Sequence, residues 1–214
     1  SDAADINLNN ISDVTGFGIY LDTTTSAQVY DNYLEEIDDT AFYVESSTSP
    51  QIFSNEIHDA LEGVHLTYSS DANIYANYIS IVDYGAKSWE SDFTEINSNT
   101  FDTISNYAIF IHDSDDQLVT FNTANNTLSG INLGGSIGSE ISNNDFYGLD
   151  DGTSISYGMV VSGTLNLVES LNLNSNYFTG FKEGFFNNNP GDDNIFNSNY
   201  FCNSYETDVS CDDT

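Results

Sequence analysis

Two of the three histidines of this 214-residue chain, His65 and His112, one of its two lysines, Lys87, and its sole tryptophan, Trp89, fall in one part of the sequence. Tyr20, Tyr43 and Phe110 recur at similar intervals around them. Such residues support two kinds of chemistry. An imidazole or amine can move protons or hold a carboxylate, and flat rings stack on the apolar faces of sugars. The first kind makes Lys87, His65 and His112 candidate catalytic residues of a polysaccharide lyase or glycoside hydrolase. The second makes Tyr20, Tyr43, His65, Lys87, Trp89, Phe110 and His112 a glycan-binding face. Hydrolysis also requires paired carboxylates at a set separation, for which Asp22 and Glu45 are the candidates.

Oxygen-rich segments offer a third chemistry. "HDSDD" at 112–116, "DDG" at 150–152 and "GDDN" at 191–194 have the composition of calcium loops. They make Asp113, Asp115, Asp116, Asp192 and Asp193 candidate metal ligands. Asp and Asn also favour turns for conformational reasons alone. A zinc site built on His65 and His112 has no evident third ligand, and His58 reads as a surface residue. No organic cofactor is expected.

The charge excludes some partners. Against 34 Asp and Glu stand 2 Lys and no Arg, a formal charge of −32. Nucleic acid and anionic membranes are recognised through Lys and Arg, so neither is an expected partner. A saline or calcium-rich exterior, which screens self-repulsion, is the expected setting, with the chain extracellular or at the cell surface. There is no apolar run long enough to span a membrane, and Ser1 is read as the start of a mature chain whose signal peptide has been removed. Cys202 and Cys211 are expected to form a local disulfide that closes a tail over 202–214. The sequons at Asn10 and Asn125 are compatible with an exterior location.

The elements that must position these residues follow from a repeat. "INLNNI", "VYDNYL", "IFSNEI", "IYANYI", "INSNTF", "VTFNTA", "ISNNDF", "LNSNYF" and "FNSNYF" share one register: apolar, two variable residues, Asn, one variable residue, apolar. Their asparagines are Asn9, Asn32, Asn55, Asn77, Asn99, Asn122, Asn144, Asn176 and Asn199, at intervals of 22 or 23 residues except for one of 32. Eight or nine residues after most of them comes a small residue (Gly18, Ala41, Gly63, Gly85, Ala108, Gly130, Gly184, with Gly158 delayed), followed by a short alternating strand. Period-2 alternation argues for β-strands, and a fixed repeat of this length for one solenoid coil per repeat. Stacked coils set equivalent residues about 4.8 Å apart, so the asparagines are expected to form an internal ladder.

This repeat resembles that of the right-handed parallel β-helix proteins of the NosD-like and pectate-lyase-like superfamily, over residues 6–201. The resemblance implies an all-β, single-domain parallel β-helix at 1–201 of about nine coils. It implies little about activity, since such proteins include lyases, glycosidases, tailspikes, adhesins and surface proteins. Pectate-type elimination in the family uses an arginine base, which this chain lacks, and no amphipathic helix precedes the first coil. The register places Tyr20, Tyr43, His65, Lys87 and Phe110 in one outward column and Asp22, Glu45, Thr67, Trp89 and His112 in another. Ser88 at an inward position leaves open whether Trp89 turns into the core. The expectation is a secreted, non-catalytic structural or surface β-helix that binds glycans, self-assembles as a homo-oligomer, filament or array through its poorly covered first coil ("SDAAD"), or both. The alternative is an enzyme centred on Lys87.

Overall fold

A computed structural model describes residues 3–149, 156–162, 168–187 and 193–202, and all regular structure among them is β. Three-residue strands, the first Asp5–Asn7 and the last Ile195–Asn197, stack in sequence order into a nine-stranded parallel sheet, about eight turns of a solenoid. A second parallel sheet follows the same order and contains long strands such as Tyr33–Glu45, Glu56–Thr67, Tyr78–Trp89 and Thr100–His112.

The middle residue of each short strand is apolar and faces inward, so Val29, Ile52, Ile74, Ile96, Val119, Ile141 and Leu173 pair in register, each fully buried. β-Branched side chains suit this because the pleat holds them at fixed spacing against their copies. A neighbouring inward column changes size from coil to coil, with Phe101 beside Ala124 and then Phe146 stacked on Phe178 at 5.3 Å. Matching sizes between neighbouring coils is how protein interiors reach their close packing.

Corners are made by left-handed backbone. Successive coils repeat the same four positions, as in Ser46, Ser49, Ser54 and Asp59, then Tyr68, Asp71, Ala76 and Ile81, all with φ near +50° to +55°. One corner carries the asparagine ladder, which is continuous from Asn9 to Asn199. Each Nδ2 donates to the next coil's Oδ1 at 2.8 to 3.0 Å. Asn77 shows the full pattern: its Oδ1 accepts from both the backbone N and Nδ2 of Asn55, while its own Nδ2 also donates to the carbonyls of Ile52 and Tyr75. The 32-residue interval between Asn144 and Asn176 leaves the ladder unbroken.

A second ladder occupies another corner. The backbone N–H of Thr24 donates to Ser47 Oγ, Ser47 to Ser69, Ser69 to Ser91, and Ser91 to Ser114, at 3.0 to 3.1 Å. These hydroxyls do for their corner what the amides do for the other: they satisfy backbone groups that the turn removes from the sheet.

The small-residue column marks where the long strand bends inward. A Cβ at Gly63 would lie 2.5 Å from the carbonyl oxygen of Gly85 in the next coil. The expected disulfide and tail fall beyond the described residues, because Cys211 and 203–214 lie outside them.

Candidate functional site

The predicted outward columns are real. Tyr20 pairs with Tyr43, Tyr43 with His65, His65 with Lys87, Lys87 with Phe110, and beside them Asp22 with Glu45, Glu45 with Thr67, Thr67 with Trp89, and Trp89 with His112. Trp89 lies outside the core: its ring stacks on His112 at 4.7 Å and 11°, and its Nε1 donates to Glu90, while the inward place beside it is filled by buried Ser88.

A third outward column, absent from the sequence reading, completes the site. The residue just before each small residue also points out, giving Phe17, Thr40, Glu62, Tyr84 and Tyr107, with Thr40, Glu62, Tyr84 and Tyr107 paired in register. Because the backbone bends between this column and the Tyr20 column, their side chains meet. Phe17 stacks on Tyr43 at 4.6 Å, and Tyr84 and Tyr107 contact Phe110 at 5.6 and 6.0 Å. Tyr43 meets His65 edge-on at 5.0 Å, and Phe110 lies nearly parallel to both Trp89 and His112. The result is an aromatic seam along the solenoid axis from Phe17 to His112. It ends there, because the next members of the Tyr20 column, Asn132 and Val160, are buried.

Charge is concentrated at the centre of the seam on Glu62, which was not foreseen. Its carboxylate takes Lys87 Nζ on Oε1 at 2.7 Å and His65 Nδ1 on Oε2 at 2.7 Å, with Thr40 Oγ1 donating at 3.2 Å. Burial pushes its carboxyl up, but the hydrogen bonds and charges of His65 and Lys87 outweigh this and hold it at about 2. Lys87 Nζ also lies 5.2 Å from the centre of the Tyr84 ring, a cation–π contact. The amine and imidazole predicted as catalytic are therefore both turned onto a protein carboxylate. His112, the third catalytic candidate, has Nδ1 3.0 Å from Asp113 Oδ2. The Asp22 and Glu45 pair is in register, and Glu45 accepts the Tyr20 hydroxyl at 2.7 Å. That bond, followed by burial and the charge of Asp22, pushes the Tyr20 phenol up to about 12.

Beside the charge centre lies a hollow of about 450 Å³, lined by Phe17, Tyr20 and Tyr43 and by Asp39, Glu45, Leu61, Glu62 and His65. A second hollow, of about 670 Å³, shares Leu61 and is lined by Asp13, Glu36, Asp38 and Asp59. There a hydrogen bond to Asp13 raises the Glu36 carboxyl.

The remaining candidates are dispersed. His58 is partly covered and bridges coils, with Nδ1 2.6 Å from Ser80 Oγ and Nε2 2.8 Å from Glu56 Oε1; Ser80 is buried, so this chain of polar groups ties strands together. Asp115 Oδ1 accepts the N–H of Ile137, and Asp116 occupies a left-handed corner, so both shape turns. Asp193 is a corner of the same kind, and Asp192 lies outside the described residues. Among the described residues no three His, Cys, Asp or Glu side chains converge to hold a metal. Nor do the described residues contain a helix long and apolar enough to cross a membrane.

A family model described as "Periplasmic copper-binding protein (NosD)" matches residues 1–82. No curated protein matches the chain. With its stacked parallel coils, the chain is a parallel β-helix repeat protein.

Proposed function

We propose that this β-helix is a non-catalytic carbohydrate-binding protein of the periplasm or cell surface, with its ligand laid along the aromatic seam. The observation that carries this reading is the contact between two outward columns over the first five coils, which lines up exposed or half-exposed rings of Phe17, Tyr20, Tyr43, Tyr84, Phe110 and Trp89 along one axis. A chain of sugar rings is the natural occupant of such a strip, since every pyranose has an apolar face to stack. Binding without turnover is the better reading because Lys87 and His65 are committed to Glu62. The acidic surface suits a saline or calcium-rich exterior, where counterions offset its repulsion. Copper binding, which the matching family's description names, has less support, since both nitrogens of His58 and Nδ1 of His65 are already engaged by side chains of their own or the neighbouring coil.

A glycan array probed with the native protein and with the Tyr43→Ala/Phe110→Ala variant tests this. Retention of at least one glycan class by the native protein and its loss in the variant are expected. Equal retention by both proteins, or none by the native one, refutes the reading.

A further inference from the structure

We infer that the hollow at the head of the seam selects sugars bearing free amines, a glucosamine-type oligosaccharide, over neutral or acidic ones; this rests on the carbohydrate-binding reading. The argument is one of charge complementarity. An acidic sugar needs a cation, and the candidates here, Lys87 Nζ and His65 Nδ1, both meet Glu62 at 2.7 Å. Asp39 and Glu45, by contrast, line the hollow together with its aromatic rings. Glu45 is bound by the Tyr20 hydroxyl through one oxygen, and a carboxylate has roughly four acceptor sites, which leaves capacity for an ammonium donor.

The aromatic rings favour the same occupant. Ring faces attract cations through their quadrupoles, so Tyr20 and Tyr43 offer an ammonium-bearing pyranose both stacking and charge attraction. The adjoining acidic hollow, with Asp13, Glu36 and Asp59 on the same three coils, adds to the negative potential beside the bound sugar. An N-acetylated sugar would stack on the same rings but leave Glu45 without a cation. A uronate would meet carboxylates in the hollow, which like-charge repulsion disfavours.

Calorimetric titration at about 0.15 M salt with three trisaccharides, of glucosamine, of N-acetylglucosamine and of galacturonic acid, tests the inference. The glucosamine trisaccharide should bind about tenfold or more tightly than its acetylated form, and the galacturonate should not bind. Glu45→Gln and Tyr43→Ala should each weaken the glucosamine ligand about tenfold, whereas Asp145→Asn, the loss of one carboxylate on an exposed strand away from the seam, should leave it unchanged. Glu45→Gln alters a half-buried surface group without changing its size and serves as the deciding variant if Tyr43→Ala does not fold. Equal or tighter binding of the acetylated sugar, lost in Tyr43→Ala, overturns the amine selectivity and leaves the carbohydrate-binding reading standing. Glucosamine binding that neither seam variant weakens is adsorption to the overall charge and overturns the inference. Failure of all three sugars, on a protein that also retains nothing on the array, sinks both.

Discussion

Glu62 and Lys87, one coil apart, form a 2.7 Å ion pair whose carboxylate is simultaneously met by His65, and this triplet sits between the aromatic columns. A charge removed this far from water is tolerated because both oxygens are met by donors, Oε1 by Lys87 and Oε2 by His65 and Thr40.

The first prediction concerns pH. The Glu62 carboxyl is lowered from its ordinary 4.5 to about 2, so the native state binds fewer protons than the unfolded chain between those values. Its contribution is fully present above about pH 4.5 and is lost as pH falls through about 2. Native protein should therefore be more stable than Glu62→Gln near neutrality, and the gap should close on acidification across that window. Urea melts of both proteins at several pH values measure it; a gap that does not change with pH would show that Glu62 is not held ionised.

The second concerns the amide ladder. Asn77→Leu removes the acceptor of two Asn55 donors and the donor to Asn99 and Ile52. Orphaning these buried groups should cost about 3 kcal/mol, read as a lower denaturation midpoint at unchanged slope. An unaltered midpoint would remove the ladder from the account of stability.

The third concerns backbone strain. Ile81 has φ of +56° and is 55% exposed, in a column whose equivalents are Asp13, Glu36, Asp59, Thr103 and Asn126. A β-branched side chain is costly in the left-handed region, and asparagine is tolerated there. Ile81→Asn should stabilise the protein by about 1 kcal/mol, and a thermal melt that falls instead of rising would contradict this.

The fourth concerns ions. With a formal charge of −32, thermal stability should climb as sodium chloride is raised from about 0.01 M to about 1 M, and millimolar calcium should substitute for much of that salt. Equal melting temperatures in low salt with chelator and in high salt would show that self-repulsion is not a significant term.

The solenoid was readable in the sequence because the short asparagine amide both accepts from and donates to its copy at the coil spacing, and nine corner positions carry it. The serine ladder was equally periodic, from Thr24 through Ser114, but serine is common in this chain and its flanks vary, so the period was hidden. Two of the three site columns followed from strand alternation. The third, with Phe17, Glu62 and Tyr84, did not, because two successive buried residues, such as Ala41 and Phe42 or Gly63 and Val64, break the period of two there and leave outward residues three apart on one side. Glu62 in particular has nothing local to mark it; its partner Lys87 is 25 residues away and becomes a neighbour only through stacking. The acidic loops read as calcium sites because Asp serves corners and metals with the same short carboxylate, and Asp115 and Asp116 are found at corners.

The sole tryptophan offers the most direct measurement of the seam, since Trp89 is stacked within it on His112. Titrating the native protein with an array-identified oligosaccharide should change Trp89 emission saturably, with the midpoint matching the calorimetric affinity, and the change should vanish in Tyr43→Ala/Phe110→Ala. A sugar that binds with undiminished affinity while Trp89 emission stays constant would place the ligand on another face and contradict the account.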